Sequence, residues 1–196
     1  CKPTTSGVPS FKDDIREYLE IAAVGCAFRP EAKTTRLIEL IHRAIPYPVL
    51  LITTDAEGAA LSLAHKRPAE REAGRIVIDR VVSTGPIGGT AVDQGFLASL
   101  ALVRQPRHNL NTLYDGWLAR VEALQAAKVS GVYLATDDKD AVQRRREALE
   151  NHTRLQREIA VLRAKAGREK QMKGRVDLNL QIQRLQAALA DLKTDL

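Results

Sequence analysis

TTRLIELIHRAIPYPVLLITTDAEGAALSLAHKR, residues 34–67, carries a helix, its stop and two strands in one run. Leu37, Leu40, Ile41, Ala44 and Ile45 recur at spacings of three and four, which predicts a helix from Pro30 onward with one apolar face. Pro46 lacks the N–H that a helix interior needs and ends it. VLLITT and AALSLAHKR follow as strand-like runs, joined by DAEG with Gly58 placed for a hairpin turn.

Working outward, LEIAAVGCAF (19–28) reads as a buried strand ending at Arg29 and Pro30, with a helix as the alternative for the same apolar run, and RIVIDRVVST (75–84) as a β-branched third strand of the later group, terminated by GPIGGT. Strand, helix, then three strands describes an α/β sheet, whose first connection crosses right-handedly if its strands are parallel neighbours. DQGFLASLALVRQ (93–105) and LNTLYDGWLARVEALQAAK (110–128) read as helices, with cap candidates at Asn109 to Asn111. The opening CKPTTSGVPS reads as a disordered or surface-laid lead-in, and FKDDIREY (11–18) as a short helical approach.

The apolar fraction of 44% and the charged fraction of 28% are those of a soluble globular protein, and no apolar run approaches the length of a membrane span. The start lacks a secretory pattern, although an initial Cys suggests that the true start is missing. Two cysteines, Cys1 and Cys26, make no disulfide framework, so a reducing cytoplasm is the expected compartment. Net charge is +6 and lies wholly in the tail: residues 139–196 hold 14 Lys and Arg against 8 Asp and Glu, whereas residues 1–138 hold 16 of each. Such localised basicity suits a polyanion, an acidic protein surface, or plain solubility.

We therefore divide the chain into an α/β body, residues 1–138, and a basic coiled-coil tail, residues 139–196. TDDKDAV places acids where a helix dipole favours them. Leu155, Ile159, Leu162 and Ala166 form one heptad series, and Leu178, Ile182, Leu185, Leu189 and Leu192 a second. At about 100° per residue the second lies roughly 130° around a helix from the first. GREKQMKGR (167–175), where the phase changes, is either the middle of one helix about 80 Å long with two seams or the bend of a helical hairpin. The expected architecture is a small mixed sheet with flanking helices plus that long C-terminal coiled-coil helix or hairpin.

LEIAAVGCAFR (19–29), the 34–67 run and REKQMKGRVDLNLQIQRLQAAL (168–189) together resemble a bacterial family catalogued as domain of unknown function 4391. The resemblance rests on Glu20 and Ile21, on Ile45 to Pro48, on Glu169 to Gln171, and on Val176, Leu178 and Asn179. It covers roughly two thirds of the chain; Met172 and Lys173 depart from an aromatic and Asn-like pair, and the amino-terminal part looks shortened. The resemblance implies an accessory protein encoded beside DNA methyltransferases and helicases in restriction-modification or phage-defence clusters, and it brings no activity with it.

Chemistry is sparse in the sequence. His42, His65, His108 and His152 have no metal-ligand spacing, and the phosphate-loop, nucleophile-elbow and dinucleotide motifs are missing. GPIGG reads as a strand-ending loop rather than a phosphate cradle. Glu20, Asp55, Glu57, Lys66 and Asp79 supply the residue types of a metal-dependent nuclease without its strand-end arrangement. Basic spots occur at His65 to Arg67, at Arg104, Arg107 and His108, and at Arg144 to Arg146; Tyr47 and Trp117 read as packing residues. The leading expectation is an interaction subunit without cofactor or metal and leaning against catalysis, which docks on a helicase or DNA methyltransferase through Leu178, Ile182, Leu185, Leu189 and Leu192, or pairs with a second copy. The alternative is DNA or RNA contact through Arg144, Arg145, Arg146, Arg168, Lys170, Lys173 and Arg175, with stacking readout disfavoured by an aromatic fraction of 4%.

Overall fold

The computed structural model describes residues 1–69 and 76–196 of the chain. These fall into two compact units, Cys1–Leu124 with Tyr133–Asp137, and Gln125–Val132 with Asp138–Leu196.

In the first unit, a strand β3 (Ala22–Ala27) runs parallel to β4 (Val49–Asp55), joined by a helix α2 (Thr34–Ala44). β4 pairs antiparallel with β5 (Gly58–Pro68), and β5 with β6 (Ile76–Ser83), so the sheet order is β3-β4-β5-β6. Arg75, the first residue of the run read as β6, lies outside the described residues. Gly58 sits at φ +128°, where a side chain would be strained, and Asp55 Oδ1 accepts the Glu57 N–H at 2.9 Å, so two residues suffice to turn the chain.

The helix read from Pro30 starts at Thr34, and its buried face is rotated from the one the aliphatic spacing marks. Leu40 is 47% exposed and Ala44 is exposed, whereas His42 is fully buried. The reason is a polar group beneath it: His42 Nε2 lies 3.0 Å from Ser62 Oγ, a partnership that a hydrophobic count does not register.

Two further expectations are corrected. FKDDIREY is not helical: Asp13 Oδ1 accepts the amides of Ile15 (2.8 Å) and Arg16 (2.5 Å), closing a turn between β1 (Phe11–Lys12) and β2 (Glu17–Tyr18). Those amide hydrogen bonds hold the Asp13 carboxyl below its ordinary pKa. The opening residues are also ordered, forming a short helix α1 (Pro3–Ser6); Val8 is 1% exposed within the core, and Pro9 accepts the Leu110 N–H at 2.8 Å.

The helix read over 93–105 divides. α3 (Ala91–Ser99) opens on a reciprocal cap between Thr90 and Asp93 and ends at Ser99, followed by a tight turn at Leu102–Arg104. Gln105 Nε2 donates to the Ser99 carbonyl (2.6 Å) and Trp117 Nε1 to that of Leu100 (3.0 Å), satisfying the carbonyls that a finished helix leaves open.

α4 (Leu110–Ser130) supplies the core. Leu113, Tyr114, Val121 and Leu124 are fully buried and join Leu61, Leu63, Val82 and Phe96 in one cluster. The Tyr114 hydroxyl accepts the Ala64 N–H (2.9 Å) and lies 2.9 Å from the Val49 carbonyl, entering the sheet where β6 carries one extra residue opposite Ala64 to Lys66.

The second unit contains α5 (Lys139–Arg168), capped by Asp138, and α6 (Met172–Asp191), which continues into a final turn at Leu192–Asp195. α5 and α6 pack against each other, joined only by Glu169, Lys170 and Gln171. The continuous 80 Å helix therefore does not form.

Two outcomes test this packing. At Gly116 an added Cβ would stand 2.7 Å from Pro106 Cδ and 2.8 Å from Gln105 Oε1. Gly116→Ala should therefore destabilise the protein by about 1–3 kcal/mol by urea unfolding, despite the better helix propensity of Ala. Burial first, and the Lys66 charge second, lower the His42 pKa from 6.5 to about 4. A depressed imidazole pKa means that the unfolded chain takes up the proton first, so stability falls as pH drops from 6.5 toward 4, by up to about 1.4 kcal/mol per pH unit. His42→Gln should flatten that limb of the stability curve; superimposable wild-type and variant curves would contradict the assignment.

Candidate interaction surface

α6 has two contrasting faces. Leu178, Leu185, Leu189 and Leu192 are half-buried and Ile182 is 8% exposed; these are the residues of the second heptad series. On α5 the buried or half-buried row comprises Ala148, Leu149, His152, Leu155, Ile159, Leu162 and Ala166. α5 and α6 pack against each other, and these rows are their buried sides, so the two seams of the sequence serve one helical pair. Close approach at the open end is visible in His152: desolvation, then the Lys193 charge, lower its pKa.

The bend is built from the stretch that marks the phase change. α5 runs through Gly167 to Arg168, and Glu169 then takes an extended conformation. Its Oε1 accepts the Gln171 N–H at 2.8 Å, placing negative charge at the start of α6 where the helix dipole favours it. Gly174 gives that carboxylate room: a Cβ there would lie 3.0 Å from both Cγ and Cδ of Glu169.

The opposite face of α6 is apolar and open. Met172, Val176 and Leu180, spaced by four, are 72%, 49% and 48% exposed. Arg168, Lys170, Lys173 and Arg175 are all exposed around the bend. Arg144 is exposed too, while Arg145 and Arg146 are half-buried. These arginines stand 22 to 24 residues from Arg168 along α5, about 33–36 Å, so the basic residues form two separate groups rather than one patch.

In the first unit the residues singled out for nuclease chemistry are scattered into other roles. Lys66, 6% exposed, donates to the carbonyls of Ile45 and Tyr47, both at 2.8 Å, and so holds the IPYP turn against β5. Burial lowers its pKa to about 8. Asp79 pairs with Arg67 at 3.1 Å, Glu20 with Lys2 at 3.1 Å, and Asp55 closes its own turn. Among the described residues no group of three or more His, Cys, Asp or Glu is placed to hold a metal ion.

His65 to Arg67 is corrected as a basic surface spot. Tyr18 Oη lies 2.6 Å from His65 Nδ1, and His65 Nε2 lies 2.9 Å from Asp115 Oδ1, so the imidazole is spent in a network reaching α4. Burial raises the Tyr18 pKa, which keeps its hydroxyl protonated. The sequence signals none of these partnerships, since 47 residues separate Tyr18 from His65. Ser62 and His42 resemble a nucleophile and base in type only, being 1% and 0% exposed with no access for a substrate.

Among the described residues no helix is long and apolar enough to cross a membrane. No curated protein and no solved structure matches the chain. The family model described as Domain of unknown function (DUF4391) matches residues 1–189, and the chain, with its IPYP turn held by Lys66 and its EKQ bend capped by Glu169, belongs to that family.

Proposed function

We propose that the protein is an accessory interaction subunit of a bacterial DNA-processing, restriction-modification-like or phage-defence complex, and that the α5–α6 hairpin docks on the helicase or DNA methyltransferase of the same system. The observation that carries this reading is the exposed row Met172, Val176 and Leu180 on a helix whose other apolar face is already occupied. Coiled-coil-like packing of the inner rows makes the hairpin a stable arm, and each outer side chain covered by a partner would contribute up to about 1.5–3 kcal/mol. The leucine series serves docking indirectly, by presenting the outer row.

A second reading, direct DNA or RNA contact, is favoured by the four exposed cations Arg168, Lys170, Lys173 and Arg175 around one bend. Phosphate contacts there would make affinity fall steeply with salt.

Met172→Glu, Val176→Glu and Leu180→Glu together should reduce co-purification of the helicase or methyltransferase at least tenfold while helicity and melting stay near wild type. Undiminished capture would sink the docking reading. Ile182→Ala, by contrast, should destabilise the hairpin by about 2–5 kcal/mol. Changing Lys170, Lys173 and Arg175 to Gln should leave protein capture intact; if it instead lowers the salt slope of duplex binding by about 2.7, the nucleic-acid reading gains.

A further inference from the structure

The surplus charge is concentrated in one part of the tail. Residues 154–175 hold eight Lys and Arg against two Glu, a net +6 that equals the charge of the whole chain. On α5, Arg154, Arg157, Lys165 and Arg168 follow one another at spacings of three, eight and three, which places them within about 80° of one another around the helix. All four are exposed, and they lie on the side away from the buried His152, Leu155 and Ile159. The row they form is about 21 Å long. Lys170, Lys173 and Arg175, also exposed, stand at the bend where it ends. Toward its other end, Glu147 and Glu150 occupy the same side of α5 and bound it.

These cations are not neutralised from within the chain. In the first unit, exposed lysines and arginines take carboxylate partners: Lys2 with Glu20 at 3.1 Å, Lys12 with Glu17 at 2.7 Å, Arg43 with Glu39 at 2.6 Å. Among the described residues, neither the α5 row nor the bend cations make an ion pair, although Glu158 stands one turn from Arg154. Arg154 Nη2 instead donates to the neutral Asn151 Oδ1 at 3.3 Å. Like charges one turn apart on a helix repel, so the row costs stability until an anion covers it.

Composition and length select the anion. Residues 139–196 contain no Phe, Trp or Tyr, so the arm offers unpaired bases nothing to stack on, and single strands lack their usual platform. Protein interfaces centre on aromatic or aliphatic anchors and are poor in Lys, whereas the exposed apolar anchors of this arm belong to the α6 row. A duplex carries one phosphate per about 1.7 Å of its axis, so a rigid row of about 21 Å runs past roughly twelve of them. We propose that the α5 row, together with the bend cations, is a track for the phosphate backbone of a nucleic-acid duplex. The proposal rests on the nucleic-acid reading of the bend and extends it along α5, while the α6 row stays available to a protein partner. Contact through phosphates alone brings affinity without sequence preference.

The test titrates the full chain into a labelled DNA duplex of about 24 base pairs, and into its RNA counterpart, with fluorescence anisotropy read from about 50 to 200 mM salt. Affinity for the preferred duplex, which names the source, should fall about 10³-fold or more over that range. Arg154→Gln, Arg157→Gln and Lys165→Gln together should lower the salt slope by about 2.7 and weaken binding at least tenfold, without lowering the melting temperature. Arg154→Lys and Arg157→Lys with Lys165→Arg should keep the slope, because charge and not shape makes the contact. An unchanged slope in the Gln variant overturns the α5 track; if changing Lys170, Lys173 and Arg175 still lowers the slope, the bend reading survives alone. A wild-type chain without salt-dependent duplex binding overturns both. Equal or tighter binding of a single strand, or of poly-glutamate as a stand-in for an acidic protein, overturns the duplex as the ligand.

Discussion

The reversal of the chain at Glu169 to Gln171 governs what the second unit can offer. One carboxylate, folded back onto the Gln171 amide and given space by Gly174, allows α6 to start immediately after α5 ends. Two leucine-rich rows that would need external partners on a straight helix thereby cover each other. Such coverage stabilises the arm and also consumes its most hydrophobic surface, leaving the smaller row of Met172, Val176 and Leu180 for anything outside the chain.

The first unit depends on a comparable economy of polar groups. Tyr114 enters the sheet at its irregularity, Lys66 holds the two carbonyls of the IPYP turn, and His42 meets Ser62 beneath α2. Each of these three side chains has at least one partner, which is what permits a sheet of few strands to carry them. Side chains whose types suggest catalysis are thus engaged in holding turns and strands together. The exposed apolar row of α6, framed by cations, is the surface that the proposed docking would use.

Much of this was legible in the sequence, for identifiable reasons. Hydrophobic spacing marked α2, α4 and both tail helices, short strand-like runs marked β4 and β5, a β-branched run marked β6, and Gly58 with its flanking acids marked the hairpin, because period and turn chemistry are local properties. The phase change at GREKQMKGR correctly signalled a discontinuity, but the choice between a two-seamed helix and a return depended on Glu169 and Gly174 meeting in space. FKDDIREY misled because Asp13 competes for backbone amides that a helix would have used. His65 and Lys66 read as surface cations because a sequence does not show that Tyr18, Asp115 and two carbonyls await them. That β3 ends the sheet among the described residues had no sequence signal, since edge position is a matter of topology.

The fold-back of the tail is tested most directly by a distance. Spin labels on Asn151→Cys and Ala190→Cys, with Cys1 and Cys26 replaced, sit on exposed positions of α5 and α6. Packed antiparallel helices should give a narrow distribution below about 30 Å, given axes some 8–10 Å apart plus the reach of the labels. A distribution centred near 60 Å, the span of about 39 residues of unbroken helix, would contradict the account.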